Sequence, residues 1–367
     1  MKVLEVTNVD FSLRQFLLPL MRGIRARGHE VVGVCADGAL LGIVRAEGFR
    51  VDTVPFVRSL SPIGNLRAFL ALRRLIAREA PDLVHAHAPI SGFLTRLAAW
   101  SLGRHPIAYT CHGYLFNQRG GWGRKLLGFG IEWLGGRMTD IYFNVSTEEA
   151  ADAERFGIFR GAIAIGNGRD PAQFRPNAAA RARVRADLAV PDDRVVVVIV
   201  SRVVRDKGYL ELLAAMRRVD AELWVVGERL ESDRGEDLEP AFAAMPPGKL
   251  RRLGYREDVA DILAASDIFA LPSYFEALPM SVIEAMLSGL PVVATNVRGP
   301  REQVVDGETG ILVPLFDIPA LAAALQRLAN APGLRAELGE AGRQRALLRY
   351  DETRVVARTL DLLGLAQ

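Results

Sequence analysis

Leu271-Pro-Ser-Tyr-Phe-Glu276-Ala-Leu-Pro279-Met-Ser-Val-Ile-Glu284-Ala-Met-Leu-Ser-Gly289-Leu-Pro-Val-Val293 reads as strand, tight loop, helix and strand. Pro279 suits the first turn of a helix and Gly289 its C-terminal cap, so the spacing predicts a helix running roughly from one to the other. Glu276 then falls in the loop at the C-terminal end of a strand, and Glu284 falls within the helix.

The same rhythm extends outward. Short β-branched runs at residues 195–200, 223–226, 252–253, 268–271 and 292–295 alternate with helical stretches, and a first series occupies 3–6, 30–35, 51–54, 83–87, 107–111, 141–145 and 162–165. Such alternation predicts βαβ units and parallel sheets. The Ala/Arg-rich stretch 178–188, followed by Pro191-Asp192-Asp193, reads as a linker. Beyond the last strand, 321–329 and 334–349 have helical periodicity, and 352–363 forms a closing helix. The expected organisation is α/β, with a first domain over 1–177, a linker over 178–193, a second domain over 194–350, and a helix over 351–367 that packs back on the first domain. The 367 residues exceed what one core sustains. Two doubly wound parallel sheets would face each other across a cleft and bind ligands beyond the C-terminal ends of their strands.

Composition narrows the class. Half of the residues are hydrophobic and 24% are charged, which is globular rather than disordered. The densest apolar run, 195–200, is far below the ~20 residues that span a bilayer, so membrane contact is expected to be peripheral. The opening MKVLEVTNVDF breaks at Asn8 and Asp10 and lacks a signal-peptide pattern. Two cysteines without metal-like spacing, Cys35 and Cys111, fit a reducing cytoplasm and argue against structural zinc, and Cys35 reads as a core residue. Residues 1–177 carry 22 Lys/Arg against 15 Asp/Glu, and the remainder 24 against 28. That basic excess draws an acidic partner, a phospholipid surface or a diphosphate-bearing acceptor, or serves solubility alone. No nucleic-acid partner is expected.

A helix N-terminus favours a diphosphate, and carboxylates accept paired hydrogen bonds from vicinal hydroxyls, which a nucleotide sugar offers on both its ribose and its hexose. By residue type alone, Glu276 and Glu284 are ordinarily solvated helix-end charges, and the strand–loop–helix frame is what points to a ligand. Arg202 and Lys207, in Ser201-Arg-Val-Val-Arg-Asp-Lys207-Gly208, follow the first strand of the second series, where a βα turn meets the cleft. His112, in Thr110-Cys-His112-Gly-Tyr114, follows a strand of the first series, where its ordinary role is packing or capping. His85 and His87 alternate at another strand end and read as core or polar strand-end residues. Gly166-Asn-Gly-Arg-Asp170 reads as a turn.

Together these segments resemble the retaining glycosyltransferase family 4 of GT-B fold, whose E-x7-E signature Glu276 and Glu284 match. The resemblance spans nearly the whole chain, with three motifs in order. It implies that Arg202 and Lys207 hold the donor diphosphate, Glu284 the ribose and Glu276 the sugar, that His112 reaches the sugar hydroxyls, and that Leu278 and Pro279 border the donor. The loop Leu253-Gly-Tyr255-Arg256-Glu-Asp258 would border the base. It further implies retention of configuration and transfer of a hexose or N-acetylhexosamine, UDP-linked, to a glycan or polyprenyl-diphosphate-linked sugar in cell-surface polysaccharide synthesis. The expected place of action is the cytoplasm, either free or in peripheral contact with the cytoplasmic face of the inner membrane. No Asp-x-Asp cluster suggests a metal-bound diphosphate, so neither metal nor cofactor is expected. The chain departs from many relatives at Ala277, where they place Gly, and at Asn8-Val-Asp-Phe-Ser12, where they carry a glycine-rich loop. For the acceptor side, Phe116, Trp122, Phe129 and Trp133 among Arg119, Arg124 and Lys125, with Arg67, Arg73, Arg74 and Arg78 on a second helix-like stretch, read either as an interfacial surface or as amphipathic helices with solvated arginines. Competing classes are a sugar-nucleotide epimerase of similar fold and a non-catalytic nucleotide-sugar-binding protein. A dehydrogenase is disfavoured because no Gly-x-Gly-x-x-Gly follows the first strand of either domain.

Overall fold

Val196–Val200 is an uninterrupted apolar strand whose first four residues are wholly buried. A parallel strand covered on both faces has no solvent side to present, hence the run of valines and isoleucine. In the computed structural model, which describes residues 1–57, 61–118, 120–229, 233 and 235–366, this strand lies at the centre of one of two compact units. The first unit comprises Met1–Gly166 and Thr353–Gln367, the second Asn167–Glu352.

The first unit carries a seven-stranded sheet of β1 (Lys2–Val6), β2 (Glu30–Cys35), β3 (Arg50–Thr53), β4 (Leu83–His87), β5 (Ile107–Cys111), β6 (Ile141–Asn144) and β7 (Ile163–Ala164). Its order is β3-β2-β1-β4-β5-β6-β7, and every pairing is parallel. The second unit carries β8 (Val196–Val200), β9 (Glu222–Val226), β10 (Leu250–Gly254), β11 (Ile268–Leu271), β12 (Val292–Thr295) and β13 (Gly310–Val313), in the order β10-β9-β8-β11-β12-β13, again parallel throughout. In each sheet the winding reverses once, between β1 and β4 and between β8 and β11. Such switch points open a crevice beyond the strand ends.

Both faces of the first sheet are covered. One packs Leu13, Leu17, Met21 and Ile24 together with Leu360, Leu363 and Leu365 of the chain's end, and the other packs Leu72, Ile76, Leu94 and Ala98. Helix Glu352–Leu362 therefore belongs to the first unit. Arg27 secures it with hydrogen bonds to Asp361 (2.6 Å) and to the carbonyl of Leu365 (2.7 Å).

Three boundaries differ from the sequence reading. The chain enters the second unit at Asn167 rather than after 177. The stretch read as a linker over 178–193 opens with a helix, Ala178–Asp187, capped by Asn177 and inside the second unit. Two of its arginines fasten it to a neighbouring helix, while Arg183 stays exposed in a surface pair with Asp261. Arg181 and Arg185 bind the carbonyls of Ala265 and Ser266 at the end of helix Val259–Ala265, and Arg181 also pairs with Asp267 at 2.9 Å. Cations belong at a helix C-terminus for electrostatic reasons. Finally, β13 is absent from the sequence reading because its four residues lie behind the turn Asp306-Gly-Glu-Thr309 and are too few to show a period.

Candidate functional site

The loops following β8 and β11 meet at the switch point of the second sheet. Gly208 allows the approach: its φ is 76°, and a Cβ there would lie 2.0 Å from the carbonyl oxygen of Pro272. Only glycine meets both conditions. The Tyr274 N–H donates to the Asp206 carbonyl at 2.8 Å across the same seam. There Lys207 Nζ reaches Glu276 Oε1 at 2.5 Å. With side chains 21% and 10% exposed, this pair is shielded from the solvent that weakens surface ion pairs.

Helix Met280–Leu287 begins at this point. Pro279 takes the cap position just outside the helix rather than its first turn, with φ −65° and ψ 125°. Two side chains fix the entry. Gln303 donates to the Pro279 carbonyl at 2.9 Å, and Asn167 Nδ2 donates to the Leu278 carbonyl at 2.8 Å. The Asn-Gly pair read as a turn is thus also an anchor for the loop. The first-turn N–H groups of the helix have no intrahelical acceptor. At the other end Gly289, with φ 77°, closes the helix, its N–H on Met286 O and the Leu290 N–H on Ala285 O. Ala277 does not share the left-handed backbone that Ala80, Ala88, Ala189 and Phe316 adopt, so alanine in that position carries no such strain. Glu284, buried on the helix, accepts from Arg169 Nε at 2.6 Å. Arg169 is a residue to which sequence reasoning gave no role: its segment reads as a turn and resembles the family's stretch leading out of the first domain, and neither names a partner for the guanidinium.

Arg202 shares the loop of Lys207, but its exposed guanidinium pairs with Asp233. Tyr255 and Arg256 stand at the end of the edge strand β10, two strands from β8. Tyr255 is exposed, and Arg256 is paired with Asp258 through two hydrogen bonds of 2.7 and 2.6 Å. Glu228 links this loop to the one after β8: its carboxylate accepts the Tyr255 N–H and its carbonyl the Val203 N–H, both at 3.0 Å. The structure therefore places Lys207, Glu276, Leu278 and Pro279 in the loops that lead to helix Met280–Leu287 and Glu284 in its second turn, with Arg202 in the loop of Lys207 and Tyr255 and Arg256 after β10.

In the first unit His112 follows β5, its Nε2 3.1 Å from His87 Nδ1 and its ring beside Phe16. Burial and the neighbouring histidines hold its pKa down at about 3. His85 and His87, read as core or polar strand-end residues, are buried on Glu5, a charge inside an apolar strand that the sequence reading did not single out. Their atoms and those of Glu5 lie within 4.8 Å of one another, and each is satisfied by a hydrogen bond. Cys35 and Cys111 are both buried, and burial pushes the Cys35 thiol up to about 12, as befits a core thiol.

Two Rossmann-like parallel sheets of seven and six strands define the GT-B class. Residues 180–345 match the family described as glycosyl transferases group 1, and residues 13–168 match the glycosyl transferase 4-like domain. The chain is similar to EpsD of Bacillus subtilis strain 168, with 29% identity over 98% of this chain and 96% of that one. It is also similar to the UDP-Gal:alpha-D-GlcNAc-diphosphoundecaprenol alpha-1,3-galactosyltransferase of Escherichia coli, 27% identical over 86% of each. Its fold matches HepE of Anabaena, solved with UDP and glucose, at a TM-score of 0.86, 21% identity and 99% coverage of both chains. The chain belongs to the family 4 type of GT-B glycosyltransferases.

Proposed function

We propose that this enzyme retains anomeric configuration while moving a hexose or N-acetylhexosamine from a UDP-linked donor to a glycan or polyprenyl-diphosphate-linked sugar in cell-surface polysaccharide synthesis. The observation that carries this reading is the Lys207–Glu276 pair at the entry to helix Met280–Leu287, with Glu284 buried in the second turn of that helix on Arg169. Free N–H groups and a lysine suit a diphosphate. Two carboxylates on either side suit the hydroxyls of the ribose and of the sugar. The UDP and glucose of HepE and the diphosphoundecaprenol acceptor of the E. coli relative are consistent with it.

In this reading the leaving diphosphate departs on the face where the acceptor hydroxyl enters, and one of its oxygens takes the acceptor proton. The protein's main task is then to stabilise negative charge on the diphosphate, which Arg202, Lys207 and the helix N-terminus provide without a metal. Glu276 orients the sugar, Glu284 holds the ribose, and His112 contacts sugar hydroxyls.

UDP at a hundredfold excess over its Kd is expected to stabilise the wild type by about 2.7 kcal/mol, with no change in EDTA, and to leave the melting of Glu284→Ala unmoved. A shift that survives in the variant, or that EDTA abolishes, overturns the assignment of the site. Donor converted without an acceptor would identify an epimerase instead.

For the acceptor side we propose peripheral membrane contact. Helix Trp122–Gly136 exposes Trp122, Leu126, Leu127, Trp133 and Leu134 beside Arg124 and Lys125, and helix Pro62–Glu79 exposes Ile63, Leu66 and Leu70 beside Arg67 and Arg74. Apolar bulk flanked by cations suits an anionic lipid interface. Phe116 and Phe129 are partly buried and pack edge-on with the exposed Phe156, and Arg119 lies outside the described residues. Among the described residues no helix is long and apolar enough to cross a membrane. The protein is expected to float with anionic vesicles and to lose that binding in Trp122→Ser/Leu126→Ser; sedimentation of the wild type free of lipid would end the idea.

A further inference from the structure

Glu5 is a carboxylate in the middle of β1, wholly buried. Both of its oxygens are engaged by histidines of β4, Oε1 by His85 Nδ1 at 3.0 Å and Oε2 by His87 Nε2 at 2.9 Å. Burial alone would raise its pKa, but the two histidines more than offset that and hold it at about 2. An ionised carboxylate only accepts hydrogen bonds, so His87 Nε2 must carry a proton. Burial and the nearby His85 hold His87 down to about 4, so at neutral pH its ring carries one proton and its Nδ1 offers a lone pair. The atom facing that lone pair, 3.1 Å away, is His112 Nε2. It must therefore be the donor. On the other side, His85 donates from Nδ1 to Glu5, and its Nε2 lies 2.8 Å from the Thr110 hydroxyl oxygen.

The backbone supports the same arrangement. Ala88, directly after His87, has φ 65° and ψ 155°. Alanine in that region is strained by about 1–3 kcal/mol and persists only where surrounding contacts determine it. The Ser91 hydroxyl and the Gly92 N–H both bind at this turn, to the carbonyls of His87 (2.9 Å) and Ala88 (2.8 Å).

We propose that Glu5 and His87 are positioning residues that lock His112 as its Nε2–H tautomer, leaving Nδ1 as a hydrogen-bond acceptor for a hydroxyl-bearing ligand. That the ligand is the donor sugar rests on the function proposed above; the tautomer does not. Such a histidine takes a hydrogen bond from a sugar hydroxyl and offers no proton to the leaving diphosphate.

Long-range proton–nitrogen correlation on the full chain labelled with 15N-histidine reads the tautomer directly, with His112 assigned by the signal that vanishes in His112→Gln. The expected wild-type pattern is a protonated Nε2 and a bare Nδ1. His87→Leu should move both His112 nitrogens toward averaged shifts, whereas His87→Asn, which keeps an acceptor near the position of Nδ1, should restore the single tautomer. A wild-type His112 protonated on Nδ1 or already averaged overturns the proposal, and that reading needs no variant of His87 to fold. An unchanged spectrum in folded His87→Leu overturns it as well. The UDP melting shift is read separately in the same samples: its absence beside the expected tautomer counts against the proposed function and not against the relay.

Discussion

Lys207→Ala is expected to lower kcat for sugar transfer by about 10²- to 10³-fold, the effect of removing one preorganised group that stabilises transition-state charge, with a much smaller change in KM. Without a donor, Lys207 spends its charge on Glu276 at 2.5 Å. A diphosphate arriving at the start of helix Met280–Leu287 would compete for that ammonium and release Glu276 toward the sugar. Charge on a leaving diphosphate grows as the glycosidic bond breaks, so in the proposed mechanism its interaction with Lys207 would be stronger in the transition state than in the bound ground state. That difference appears in kcat. The partner variant Glu276→Ala leaves Lys207 unpaired and should also slow transfer, and the double variant should cost less than the two single losses combined because both act on one contact. Lys207→Arg is expected to recover part of the rate, since it keeps the charge but brings a planar fork into a space held to an ammonium. Steady-state kinetics on the four proteins decides: a Lys207→Ala enzyme with unchanged kcat and raised KM would show that the lysine only binds.

The parts of this site that were legible in sequence are those written within one window. Strands β11 and β12 and the helix between them lie in one run, Ile268 to Thr295, whose apolar pattern, proline and terminal glycine all act locally. What escaped was written in pairs. Arg169 and Glu284 are 115 residues apart, and Glu5 and His85 are 80 apart. Periodicity is read over windows of about 11–18 residues and carries no information on such partners. The Ala/Arg-rich stretch at 178–188 shows the converse failure. Its composition resembles a solvated connector, but Arg181 and Arg185 are bound to the end of another helix some 80 residues on, where they fasten the helix into the second unit.

Glu132→Ala is expected to destabilise the first unit by about 3–5 kcal/mol, the cost of leaving a buried charge without its partner. Arg96 and Glu132 are both wholly buried and pair at 3.2 Å. The guanidinium lies over the Tyr109 ring at 3.7 Å, and the Tyr109 and Tyr142 hydroxyls donate to the two Glu132 oxygens at 2.8 and 3.0 Å. Gly135 leaves the space this needs, since a Cβ there would sit 2.4 Å from the guanidinium carbon. Removing Glu132 strands one cation and two hydroxyls in a medium that cannot solvate them. Arg96→Leu in the same chain should restore part of the loss, because it removes the stranded charge while the hydroxyls stay unpaired; a cycle measured by urea unfolding should show coupling of about 0.5–3 kcal/mol. Tyr109 precedes Thr110 on β5, and the Thr110 hydroxyl lies 2.8 Å from Nε2 of His85 beside the histidine relay. Loosening the cluster should therefore disturb the His112 tautomer before the unit unfolds, and a Glu132→Ala protein with native stability and an unperturbed His112 spectrum would show that the buried pair supports neither.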